Sequence, residues 1–138
     1  MIDWTKLIYL PKENAWMLDI EDSHLEILVD GNQEGAFPER LALAKQVMGN
    51  IQHLEQEASR YLDMFVSPKF KGTAIWSMVG VDFGSEHDLK TNEFLLWIRL
   101  EGESFTDSDK YGSWYVKFRF LEAGANKSFP VGFGRIET

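Results

Sequence analysis

The chain contains no cysteine, and that absence removes two ways of holding a fold together. Neither a disulfide framework nor a thiolate metal site is open to it, and the composition suits a reducing compartment such as the cytoplasm. Long apolar runs are also missing. The longest, Phe94 to Ile98 (FLLWI), falls far short of the roughly 20 residues that a membrane-spanning helix needs. The opening MIDWTKLIYLPK carries Asp3 and Pro11 and lacks both a basic start and a long apolar centre, so no secretory signal is expected. No Walker A, GxSxG, SxxK, HExxH or CxxC pattern occurs, which leaves nucleophilic catalysis and metal binding without a recognisable motif.

A further absence is local. Residues 13 to 39 (ENAWMLDIEDSHLEILVDGNQEGAFPE) hold no lysine or arginine, yet they hold eight carboxylates: Glu13, Asp19, Glu21, Asp22, Glu26, Asp30, Glu34 and Glu39. With 22 acids and 14 bases overall, the whole net charge of −8 falls in this stretch and the remainder is electrically even. Such a surplus disfavours nucleic acid, whose phosphates need Lys and Arg to displace their counterions. It equally disfavours anionic membrane surfaces. Carboxylates gathered on one side would instead set up a negative field that speeds encounter with a basic protein. Solubility is the plainer use of the same charge.

What is present fits one globular domain over residues 1–138, with 44% hydrophobic and 14% aromatic residues. Ala15 to Ile20 and residues 24 to 30 read as two strands of a hairpin. In the second, Leu25, Ile27 and Val29 alternate with His24, Glu26, Leu28 and Asp30, the period of a half-buried strand. From Pro38 to about Val66 the period lengthens to that of a helix. Leu41, Ala44, Val47, Met48, Ile51, Ala58, Tyr61, Leu62, Phe65 and Val66 fall on one face, predicting a single amphipathic helix with a bend allowed at Gly49. Four further strands are expected at Thr73–Phe83, Asn92–Glu101, Ser113–Glu122 and Ser128–Ile136. The third places Trp114, Val116, Phe118 and Phe120 on one face and Tyr115, Lys117, Arg119 and Leu121 on the other. The order β-β-α-β-β-β-β predicts an α+β fold: one long helix on an antiparallel sheet of about five to six strands. The strand over 94 to 100, apolar on both sides, should be interior and covered twice.

Few residues invite chemistry. Glu55 projects from the middle of the helix's apolar stripe, where burial would raise a carboxyl pKa as a general acid requires. His53 and Glu57 stand four apart on the polar side and suit a solvated pair. Ser85-Glu86-His87-Asp88 gathers metal-capable side chains, but neighbours in sequence rarely converge on one ion. The GxG at Gly132–Gly134 has no helix after it to meet a pyrophosphate, and suits a bulge instead. Trp76, Trp97, Trp114 and Tyr115, together with Glu55, could line an apolar pocket between helix and sheet; burial in the core is the plainer use of such rings. No catalytic residue, metal or cofactor is expected.

The early hairpin, the helix ending YLDMFVSP and the aromatic strands EFLLWIRLEG and GSWYVKFRF together resemble small bacterial domains of the immunity-protein type. The resemblance spans most of the chain as a layout. It implies a non-enzymatic inhibitor of a toxin, with no catalytic residues to carry over. Two functions are therefore expected in rank order. The first is a cytoplasmic interaction protein that meets a basic partner through Asp19, Glu21, Asp22, Glu26, Asp30 and Glu34. The second is a small-molecule binding domain using the aromatic pocket. A homodimer is allowed by either.

Overall fold

The computed structural model describes residues 2–20, 25–84, 89–102, 114–121 and 127–136. After a short 3-10 turn at Trp4–Lys6, the chain forms β1 (Ile8–Leu10), β2 (Ala15–Ile20), β3 (Leu25–Asn32) and the two-residue β4 (Gly35–Ala36). Three helices follow: α1 (Pro38–Met48), α2 (Ile51–Phe65) and α3 (Pro68–Lys71). The chain then returns as β5 (Ile75–Phe83), β6 (Glu93–Glu101), β7 (Trp114–Phe120) and β8 (Ser128–Arg135). The strands make one sheet in the order β1-β2-β3-β5-β6-β7-β8, with β4 paired to β3. Every pairing is antiparallel except β3 with β5.

The α+β class and the mostly antiparallel sheet agree with expectation; the details differ in three ways. The single long helix is two. Helix α1 ends at Gly49, and Asn50 leaves helical space at φ −127°, ψ 23° before α2 begins. Gly and Asn are poor helix formers, and placed side by side they interrupt the run. Among the described residues the strands number eight, because β1 and β4 are too short to show a period. One pair is parallel, since the helical excursion from β3 to β5 returns the chain beside the strand it left, as crossover connections do.

The helices lie on one side of the sheet, α1 against β3 and β5 and α2 against β8. Beneath them Phe83, Phe94 and Phe118 run across β5, β6 and β7 as a ladder of rings, each centroid 5.4 Å from the next. All three are fully buried, as are Ile27, Val29, Leu54 and Leu62. Strand β6 is interior, between β5 and β7, and Leu95 on its helix-free face is as buried as Leu96 on the other. Among the described residues no helix is long and apolar enough to cross a membrane.

Candidate functional site: the acidic end of the sheet

Residues opposite one another on neighbouring strands share a face. The alternation of β3 puts Leu25, Ile27 and Val29 under the helices and turns Glu26, Leu28 and Asp30 to the other side. On that helix-free side the register defines one rung across six strands: Asp19, Glu26, Gly80, Trp97, Tyr115 and Gly134. The next rung runs Met17, Leu28, Asp82, Leu95, Lys117 and Gly132.

Asp19 and Glu26 are thus direct cross-strand partners, and both are exposed. Asp30 is half-buried opposite Ala15 on the same face. Glu34 stands exposed in the turn from β3 to β4, where its backbone N–H donates to Asn32 Oδ1 at 2.9 Å. That turn folds onto Trp16, whose Nε1 donates to the Asn32 carbonyl at 2.8 Å. Glycine is required at Gly31, where a Cβ would lie 2.8 Å from the indole Cδ1 and as close to Ala36. Glu13 precedes β2, and Glu39 occupies the first turn of α1 beside the helix N-terminus. Among the described residues none of these six carboxylates forms an ion pair. Glu21 and Asp22 lie outside the described residues, as do Ser85 to Asp88.

The five residues expected to line a pocket are not brought together. Trp114 and Tyr115 are adjacent in β7, so their side chains leave on opposite faces. Trp76 and Trp114 meet edge to face at 5.5 Å on the helix side, and Trp76 Nε1 donates to Asp63 Oδ1 at 2.8 Å. Trp97 and Tyr115 meet on the helix-free side at 5.3 Å. Glu55 is half-exposed on a shallow groove of α2 with Gln52, Gln56, Ser59 and Arg60, away from all four rings. His53, Glu57 and Arg60 form loose contacts of 3.8 and 3.7 Å on the outer side of α2. No group of three metal-capable side chains occurs among the described residues.

Three buried charges among the described residues escaped sequence reasoning: Asp82, whose Oδ1 accepts from the Gly84 N–H at 2.8 Å, and the pair Glu93 and Arg40. Glu93, 2% exposed, accepts from the Lys90 backbone N–H at 2.9 Å and from Arg119 Nη2 at 3.0 Å. Burial alone would raise its pKa, but those bonds and the charges of Lys117 and Arg119 hold the carboxyl below its ordinary value. Arg40, 8% exposed, reaches from α1 to the Glu93 carbonyl at 3.1 Å. Both are structural. The only signal in sequence was Arg119 alternating with Lys117 on the face away from the helices.

No protein family, characterised protein or solved structure matches the chain.

Proposed function

We propose that this is a non-enzymatic interaction protein that meets a basic protein surface with the β2–β3 end of its sheet, in the manner of a toxin-immunity inhibitor. The observation that carries the reading is the Asp19–Glu26 pair. Two exposed like charges directly opposite each other oppose folding, so their placement suits a task outside the fold. Asp30 extends the negative surface on the same face, and Glu34 continues it through the following turn. A nuclease active site is one surface with the complementary charge, because it must hold phosphates; a small acidic protein seated there imitates nucleic acid electrostatically.

The test uses a basic ribonuclease as probe, titrated against the wild-type chain and against Asp19→Asn/Glu26→Gln/Asp30→Asn. Binding should weaken steeply with added salt, and the triple variant should bind at least tenfold more weakly. Equal binding by wild type and variant removes the proposal.

A further inference from the structure

The outer strand β1 completes the face around the acidic pair. Its register sets Ile8 opposite Met17, and Met17 lies opposite Leu28, so three apolar side chains form a row across β1, β2 and β3 on the helix-free side. Ile8 is 62% exposed, and Met17 and Leu28 are half-buried. Two residues along the strands, on one side of the row, stand Asp19 and Glu26. On the other side, at the level of Leu10 and Ala15, stands Asp30. Each carboxylate level lies about 7 Å from the row, and the row itself crosses two strand spacings, about 10 Å. Lys6 and Lys12 precede and follow β1, and among the described residues neither forms an ion pair with these three acids.

An apolar strip with carboxylates along both margins is complementary to an apolar strip with bases along both margins. Lys and Arg suit those margins, because their stems lie over apolar surface while their heads reach outward to charge. A helix presents the pattern directly. Its apolar stripe is bordered by two flanks, and at a diameter of about 10–12 Å those flanks come over the two carboxylate levels when the stripe sits on the row. An extended segment fits less well. Laid on a sheet face it leaves its backbone N–H and C=O groups unpaired, whereas a helix satisfies its own. Added at the edge it meets β1, which has three residues and is followed by Pro11.

We infer that the helix-free face of β1–β3 takes a basic amphipathic helix of the partner protein. The helix seats its apolar stripe on Ile8, Met17 and Leu28 and sets its lysines or arginines on Asp19 and Glu26 along one margin and Asp30 along the other. This rests on the reading that the acidic end is an interaction surface, and names the kind of segment it receives. Charge draws the helix in, and the apolar row holds it once it has arrived. Affinity therefore has a part that salt removes and a part that salt leaves, while a surface of carboxylates alone has only the first.

Fluorescence anisotropy tests this with the full chain and a labelled leucine–lysine peptide of about four helical turns, its leucines on one stripe and its lysines on both flanks. The comparison peptide has the same composition in scrambled order, so its charge is equal and its stripe is lost. The striped peptide should bind about tenfold more tightly. Ile8→Ser, at an exposed site that asks little of the fold, should weaken it about threefold or more, at low salt and at about 0.5 M salt alike. Ile8→Ser/Leu28→Ser should weaken it further. Asp19→Asn/Glu26→Gln/Asp30→Asn should weaken both peptides at low salt and flatten their salt dependence. Equal binding of the two peptides overturns the inference, as does an Ile8→Ser chain that binds the striped peptide as well as wild type does. Ribonuclease separates the two readings. A wild-type chain that binds ribonuclease through its carboxylates but does not distinguish the peptides loses this inference alone, and one that binds neither probe loses both.

Discussion

Asp19 and Glu26 face each other across β2 and β3, two exposed carboxylates at one level of the helix-free face. A like-charge pair in that position opposes folding, by roughly 0.2–1 kcal/mol and towards the lower figure for exposed groups. Glu26→Lys, which turns the pair into an attractive one, is expected to stabilise the protein, and Asp19→Asn to do so by less. Urea denaturation at low salt should show the gain, and about 1 M salt should largely erase it, since the Debye length there is about 3 Å. A variant no more stable than wild type at low salt would mean the two carboxylates do not repel.

Arg40 ties α1 to β6. Its guanidinium, buried although the residue lies in the first turn of the helix, donates to the backbone carbonyl of Glu93 at 3.1 Å. Replacement by Met keeps the apolar stem and removes the charged donor, leaving a buried carbonyl short of a partner. The expected loss is about 1.5–3 kcal/mol. Arg40→Lys should recover only part of it, because a single ammonium does not reproduce the reach of the guanidinium fork. The measurement is the urea midpoint at unchanged slope, which reports stability without a change in the unfolded ensemble. A loss under about 0.5 kcal/mol, the range of ordinary surface changes, would remove the clamp from the account of the fold.

Three strands were legible in the residues almost to their ends, β2 to the residue and β6 and β8 to within one at either end. The division of the helix was not. The stripe runs from Ala44 and Val47 through Leu54 and Ala58 to Leu62 in one continuous phase, so two helices separated at Gly49 and Asn50 read as one. The parallel β3–β5 pair could not be read at all, because a strand's own sequence does not name its neighbour. The aromatic grouping failed for a reason that was visible: Trp114 and Tyr115 are consecutive in a strand and cannot enter one cavity. The bulge between Met78 and Gly80 hid a second step, since it shifts the register that sets Trp76 opposite Leu100 on the helix side. Of the acidic surface, the surplus itself was plain. The pairing of Asp19 with Glu26 needed the strand order.

Glu93 should govern part of the acid limb of stability. Burial would raise its pKa, but the Lys90 N–H, the Arg119 guanidinium and the nearby charge of Lys117 hold it below the ordinary 4.5. A carboxyl that ionises more readily in the folded than in the unfolded chain favours folding above about pH 4.5, and that contribution is lost as pH falls through the lowered folded value. Glu93→Gln should therefore be less stable than wild type at neutral pH and flatter below about pH 4.5, with the two curves converging in acid. Asp63 is shifted the same way, burial raising its pKa and the bonds from Trp76 and Lys71 lowering it further. Its exposure makes its share smaller. Urea midpoints taken from neutral pH into acid separate the cases. Parallel curves for wild type and Glu93→Gln would show that Glu93 does not carry this dependence.

The Tyr115 ring occupies the space over Gly134 at the far end of the rung that Asp19 begins. A Cβ at Gly134 would lie 2.5 Å from the ring's Cζ and 2.7 Å from Cε1, so a side chain there must displace the ring. The Gly134 backbone is not in the left-handed region, and the obstacle is steric alone. Gly134→Ala is expected to cost about 1–3 kcal/mol, as overfilled sites do. With Tyr115→Ala already in place the same change should cost almost nothing, a coupling of about 1–3 kcal/mol between two residues in contact. Trp97 provides an independent readout, since its ring lies 5.3 Å from Tyr115 and its fluorescence should respond to Gly134→Ala while Tyr115 is present. If the two substitutions add, the ring does not rest on Gly134, and the aromatic end of the rung is built differently from its acidic end.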